Sequence, residues 1–198
     1  PIESFEKINT SDISKKSYPS LIEVTNHYKF NFENSGIMFK NKVHTTKVLP
    51  IIKKAITLGE ILQTENIPNE CFINKVQESK FKYLKGSKRI PRVSKNGIKY
   101  NYSEGAMCFP DYLDMPGRTM LTSEGTINRS THIVEDIKTK KLRILTPIEA
   151  ERLNQFPDNW TNTGMTSKKR YFMMGNALVC GIIKELGYII KEIVEQEN

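Results

Sequence analysis

An α+β fold, with a small, mixed and mainly β part rich in loops followed by C-terminal helices, is the class this sequence predicts. Three observations carry it. Thr146-Pro-Ile-Glu149 opens a helix: Thr146 caps, Pro147 suits the first helical position, and Glu149 stands where a capping box wants it. Leu178, Ile182, Ile183, Leu186, Ile189, Ile190 and Ile193 recur at helical spacing and predict a long amphipathic helix at the end of the chain. From about Pro68 to Glu135, by contrast, Tyr83-Leu-Lys-Gly86, Tyr100-Asn-Tyr-Ser-Glu-Gly105 and Met115-Pro-Gly-Arg-Thr-Met-Leu-Thr122 follow a loop-and-strand rhythm without long helices.

In chain order, residues 1–20 are polar and irregular. Ile22 to Phe32 alternates weakly and predicts a strand, with Ile22, Val24, His27, Phe30 and Phe32 inward. Asn34-Ser-Gly36 reads as a turn. Ile37–Phe39 and Val43–Val48 read as a hairpin joined by Lys40-Asn-Lys42, its turn type open. Thr57-Leu-Gly-Glu-Ile-Leu62 is a short helix, capped by Thr57 with Glu60 three residues on. Further along, Ile148, Leu153 and Phe156 form an apolar stripe, and Pro157 stops that helix at about the residue before it. Trp160, the single tryptophan, is expected in the core, with base stacking as a lesser option. Gly175-Asn176 precedes the long final helix and reads as a helix N-terminus offering backbone donors to an anion or a partner. Gly181 and Gly187 inside that helix each cost roughly 1 kcal/mol in propensity, which close approach to a neighbouring element would offset.

Length and composition bound the rest. A chain of 198 residues makes one domain, or one with an extension. Hydrophobic content of 38% and mean hydropathy of −0.47 are low for a compact globule, yet not those of a disordered chain. No apolar run approaches the roughly 18 residues a bilayer span needs, and no signal-like start is seen. The opening on Pro1 rather than Met suggests truncation. Cys71, Cys108 and Cys180 lie far apart, and His27, His44 and His132 do not cluster with them. Neither a disulfide framework nor a metal site follows, which suits a reducing cytoplasm.

Charge points to a partner. The net charge is +8 and the pI near 9.3, favouring a polyanion. Between Lys75 and Lys99 stand nine Lys/Arg residues and one acid, Glu78, interleaved with Phe81, Tyr83, Gly86, Pro91 and Gly97, and followed by Tyr100. That pattern suits loops lying along phosphates and reaching base edges. A solvated basic strand face is the competing reading. Lys85, Lys88, Arg89 and Arg92, at the centre of the run, are the candidate nucleic-acid contacts.

Three ordered words in the last third sharpen this: Arg143-Ile-Leu-Thr-Pro-Ile-Glu149, Glu151-Arg-Leu-Asn-Gln-Phe-Pro-Asp158 and Arg170-Tyr-Phe-Met-Met-Gly-Asn-Ala-Leu-Val179. They resemble the ninth and tenth motifs of DNA cytosine-5 methyltransferases. Tyr83-Leu-Lys-Gly86, Tyr102-Ser-Glu-Gly-Ala106 and Phe109-Pro-Asp111 are similar to words of the bacterial restriction-modification members. The resemblance implies a connection from a catalytic domain over residues 1–56 and a target recognition domain over 57–140. Residues 141–198 would then return, as motif helices, to an α/β, Rossmann-like methyltransferase domain. It implies duplex DNA as partner, with Arg118, Thr119 and Thr122 near the extruded base. Thr119-Met120 best matches the family's Thr-aliphatic step. It also implies S-adenosylmethionine as cofactor, with Gly175, Asn176 and Ala177 at the edge of its pocket, and a structural or phosphate-facing role for Arg143 and Arg152.

The family transfers a methyl group to C5 of cytosine through a covalent C6 adduct, and needs a Pro-Cys nucleophile, a Glu-Asn acid and a glycine-rich cofactor turn. None of the three cysteines follows a proline, Glu65-Asn66 lies in a polar loop, and the glycine-rich turn is absent. No catalytic residue is therefore expected on this chain, and alone it is expected to be inactive. The competing readings are a stand-alone sequence-specific DNA-binding protein and the recognition subunit of a split methyltransferase. A basic RNA-binding protein would leave the ordered motifs unexplained.

Overall fold

The computed structural model describes residues 8–13, 19–27 and 32–197, and the chain forms two compact units, Pro1–Lys54 and Ala55–Asn198. Helices coexist with small antiparallel sheets, as an α+β class requires.

The first unit holds a three-stranded sheet in the order β1 (Asn9–Asp12), β3 (Lys42–Thr46), β2 (Ser35–Phe39). Phe39 pairs with Lys42, leaving Lys40 and Asn41 as a two-residue turn, both at positive φ (46° and 60°). Such a turn matches the natural twist of a hairpin. The Asn34 side chain closes the open end, exchanging two 2.8 Å hydrogen bonds with the Val48 backbone. Where a strand was expected from Ile22, the chain forms helix α1 (Leu21–His27). Ser20 Oγ accepts the Glu23 N–H at 3.2 Å and Glu23 meets His27 at 2.8 Å, so local helical pairs outweigh a weak alternation. Phe30 lies outside the described residues, as does the Val24 side chain.

The second unit is built around two capping boxes. Thr57 and Glu60 open helix α2 (Leu58–Ile61), and Thr146 and Glu149 open helix α4 (Pro147–Leu153). Leu58, Ile61 and Leu62 pack on Val134 and Leu145, the first from strand β6 (Ile133–Glu135), the second just beyond its partner β7 (Leu142–Ile144). Met120 and Ala150 pack on Tyr171 and Met174 of helix α5 (Ser167–Asn176), and Leu153 touches both clusters. The core thus draws on both sides of residue 140.

Several expectations need correction. The basic run does not begin as loops: Lys75–Lys85 is helix α3, whose Asn74–Gln77 capping box was present in the sequence. A β-hairpin follows, β4 (Lys88–Val93) against β5 (Lys99–Glu104), closed by Lys95-Asn96-Gly97 with Gly97 at φ 76°. Helix α4 stops at Leu153, before Pro157, because the chain turns at Gln155 (φ 61°). Trp160 is 60% exposed rather than in the core, its ring tilted over Phe156 at 6.1 Å. Gly175-Asn176 is not a helix N-terminus. It is the last turn of α5, which Thr166 caps at its start by accepting the Lys169 N–H, and the long helix α6 begins only at Cys180.

Helix α6 (Cys180–Glu197) buries none of its residues, and Ile182, Leu186, Ile189, Ile190 and Ile193 are each about half exposed. At Gly187 an added Cβ would meet open space, so no close approach offsets its propensity cost among the described residues. No helix among them is long and apolar enough to cross a membrane.

Candidate functional site

Buried charge sets the frame. Arg143, fully buried, grips Glu149 with two bonds of 2.7 and 2.8 Å and reaches Asp136 at 3.3 Å. Glu149 also accepts the N–H groups of Thr146 (2.8 Å) and Gln63 (2.7 Å), locking α2 to α4. Burial alone would lower the Arg143 pKa, but the two carboxylates outweigh it and raise it. Arg152 is likewise a tie: it holds Asp158 with two bonds and donates to the Ile61 carbonyl. Both arginines are structural. Glu151, also buried, receives Arg170 at 2.8 Å and the Thr161 N–H at 2.9 Å.

A second hub centres on Asp111, which forms bonds of 2.7 and 3.1 Å with Arg118, accepts the Ile133 N–H at 2.8 Å and lies 3.5 Å from Lys85. Arg118 also donates to the Ser130 and Thr131 carbonyls. Two expected DNA contacts thus already have partners inside the fold. Lys85 is 1% exposed, its ammonium enclosed with Asp111, because its place on α3 faces the core. The bidentate partner of Arg118 is Asp111, with no phosphate or base needed to complete its geometry.

Burial by itself would push the carboxyls of Asp111, Asp136 and Glu151 up, yet their hydrogen bonds and cationic neighbours hold each below its ordinary value. A carboxyl depressed in the fold stabilises it at neutral pH. That contribution starts to fade as pH approaches the unfolded value near 4 and is lost as pH falls through the lower folded values. Thermal unfolding followed from pH 7 to pH 2 should show the melting point dropping across that window. A flat profile would contradict the assignment.

Of the remaining expected contacts, Arg89 and Arg92 are exposed along β4, and Thr119 and Thr122 are exposed on the segment after Arg118. Lys88 is largely covered at the hairpin root, with its Nζ at 3.2 Å from Glu104. Arg92 lies over the Tyr102 ring at 4.0 Å. The Tyr102 hydroxyl and the Lys88 ammonium, with Arg129 nearby, hold the Glu104 carboxyl below its usual range. Sequence reasoning missed Glu104 and Arg129. The sole hint was an acid closing a strongly basic segment.

Of the expected cofactor contacts, Gly175 lies against Thr122. A Cβ at Gly175 would stand 2.4 Å from the Thr122 nitrogen and 2.5 Å from the Leu121 carbonyl carbon, so glycine alone lets α5 reach that segment. Asn176 is exposed and donates to the Phe172 carbonyl at 2.9 Å, while Ala177 ends the helix. Both line an open, apolar groove of about 540 Å³ with Phe156, Trp160, Phe172 and Met173. This is one wall for a ligand and not an enclosing pocket.

The buried thiol is not activated. Cys71 is buried, and burial pushes its pKa up to about 11, opposite to what a nucleophile needs. Cys108 is exposed and follows Met107, and Cys180 starts α6. Among the described residues no group of three His, Cys, Asp or Glu could hold a metal.

A family model described as C-5 cytosine-specific DNA methylase matches residues 5–192. A Staphylococcus aureus relative, Type II methyltransferase M.Sau3AI, is 45% identical over 193 residues, which is 98% of this chain and 46% of the relative. The chain therefore spans less than half the length of that curated relative. A solved Entamoeba histolytica methyltransferase, EhMeth, aligns with a TM-score of 0.43 and 20% identity over 77% of this chain and 48% of its own.

Proposed function

Because this chain belongs to the C-5 cytosine-specific DNA methylase family, we propose that it is the target-recognition and C-terminal part of a bacterial DNA cytosine-5 methyltransferase of a restriction-modification system. Its work is to bind duplex DNA, select a short sequence and favour extrusion of the cytosine that is to be methylated. The observation that carries this is a division of labour in charge. Arg143, Arg152, Arg118 and Lys85 are consumed inside the fold, whereas Arg89 and Arg92 stand exposed on a hairpin. Exposed cations that enter no ion pair among the described residues suit phosphates or base edges.

Thr122 stands at the close contact with Gly175, and both it and the exposed Thr119 present a hydroxyl and a methyl for a sugar, phosphate or base edge. The groove beside Asn176 and Ala177 fits one side of S-adenosylmethionine, with apolar surface for its methionine end. When bound, that cofactor supplies the methyl group. This chain has no glycine-rich turn for it, so the rest of its site belongs to a catalytic α/β domain of the same enzyme or of a separate subunit. The half-exposed apolar residues of α6 favour docking against such a domain over a DNA-binding protein that acts alone.

The nucleophilic cysteine and the acid would come from that domain, as no residue here offers the chemistry. Purified chain incubated with duplex DNA and radiolabelled S-adenosylmethionine should give no methyl transfer, and adding the catalytic domain should restore it. Transfer by the chain alone would refute the division. Duplex binding that weakens steeply with salt tests the recognition role directly.

A further inference from the structure

The cluster at the root of the β4–β5 hairpin centres on Glu104, which stands inside a sequence word without a role assigned to it. Glu104 Oε2 receives Lys88 Nζ at 3.2 Å and Arg129 Nη1 at 3.0 Å, and its Oε1 receives the Tyr102 hydroxyl at 2.7 Å. Arg129 also donates to the Leu84 carbonyl at 2.7 Å, to Gly86 at 3.2 Å and to Gly105. Lys88 joins it on Leu84 at 2.8 Å. Two cations thus meet the carbonyls at the C-terminal end of α3, where a helix is negative. The same cations hold one carboxylate of β5.

Beyond this root the hairpin is free. Arg89 through Val93 and Lys99 through Asn101 are exposed, and no ion pair among the described residues includes Arg89, Arg92, Lys95 or Lys99. Register places Arg89 opposite Ser103 and Pro91 opposite Asn101, so Arg89, Ser103 and Asn101 share one face. Arginine, serine and asparagine are types that bond base edges. On the opposite face Arg92 rests on the Tyr102 ring. Two strands about 4.8 Å apart fit a groove about 12 Å wide. Pro91, which lacks an N–H, discourages a third strand from adding to the ribbon.

We propose that the β4–β5 hairpin enters the major groove of duplex DNA as a two-stranded ribbon, and that Glu104 is the positioning residue fixing its angle through Arg129, Lys88 and Tyr102. The inference rests on the DNA-recognition role given above. It makes a prediction of opposite sign to simple electrostatics. Removing an acid beside a polyanion should tighten binding, whereas removing a positioning residue should loosen the choice of sequence.

The test starts with the 198-residue chain and a random-sequence duplex pool. The enriched duplex defines the preferred sequence, and its affinity is divided by that for a scrambled duplex. Glu104→Gln should lower this ratio by about tenfold, the effect of one misread base pair, while affinity for the scrambled duplex stays equal or rises. Arg129→Lys should give an intermediate ratio, since lysine keeps a charge toward Glu104 but cannot reach three carbonyls at once. It is also the deciding variant if Glu104→Gln lowers the melting point. An unchanged ratio overturns the inference and leaves the recognition role standing. An equal loss on both duplexes, with the salt slope reduced by about one in Arg129→Gln, makes the cluster a phosphate contact and also overturns it. A wild-type chain that enriches no duplex removes the recognition role and this inference together.

Discussion

Replacing Arg143 with alanine should cost about 4 kcal/mol of folding stability, among the largest losses any single substitution here can cause. The guanidinium is fully enclosed, and its removal leaves Glu149 and Asp136 facing each other without a cation. Breaking a buried pair by deleting one partner typically costs about 3–5 kcal/mol, because an uncompensated charge stays in the interior. The loss also unties Glu149 from its bridging role between α2 and α4. For a domain stable by about 5–15 kcal/mol, that is a large share of the whole. Urea denaturation would measure it, and Arg143→Lys should be intermediate, since one ammonium cannot reproduce a two-bond grip. A loss below about 1 kcal/mol would show that the three charges are not coupled as their distances imply.

The second large effect concerns Gly175, where two principles disagree in sign. Helix propensity says that glycine to alanine inside a helix stabilises by about 1 kcal/mol. Packing says the reverse, because the added methyl would sit 2.4–2.5 Å from main-chain atoms of Leu121 and Thr122. Backbone cannot rotate away as a side-chain tip can, so the helix and the segment must part. Overpacking of that kind costs about 1–3 kcal/mol and outweighs the propensity gain. Gly175→Ala should therefore lower the melting temperature and weaken duplex binding. Gly187→Ala, facing open space, is the matched control and should raise it. A Gly175→Ala chain that melts higher than wild type would dismiss the contact.

What the sequence made legible was local. Thr57 with Glu60 and Thr146 with Glu149 announce their helices, because a cap and its reciprocal partner stand only three residues apart. Lys40-Asn41 turns where the flanking apolar residues require it. The same spacing starts two further helices against a competing pattern: Ser20 with Glu23 opens α1 where apolar residues alternate weakly, and Asn74 with Gln77 opens α3 within the basic run.

The candidate site was less legible, for a different reason. Whether an arginine faces solvent depends on where an acid lies, and that acid is set by tertiary structure. Asp111 stands 26 residues from Lys85, and Glu104 stands 25 from Arg129. Nothing in residue type separates Lys85, which is enclosed, from Arg89, four residues on and exposed. The place of Trp160 is tertiary in the same way, its ring tilted over Phe156 at the groove edge.

The meeting of α5 with Leu121 and Thr122 is made by main-chain atoms on one side and by a residue without a side chain on the other. It is therefore indifferent to which side chains positions 121 and 122 carry, and both point outward. Descendants of this chain can exchange those side chains while the scaffold beneath keeps its shape. Gly175 is thus a constraint that leaves its neighbours at liberty, and new side chains can be sampled there without first relearning how to fold.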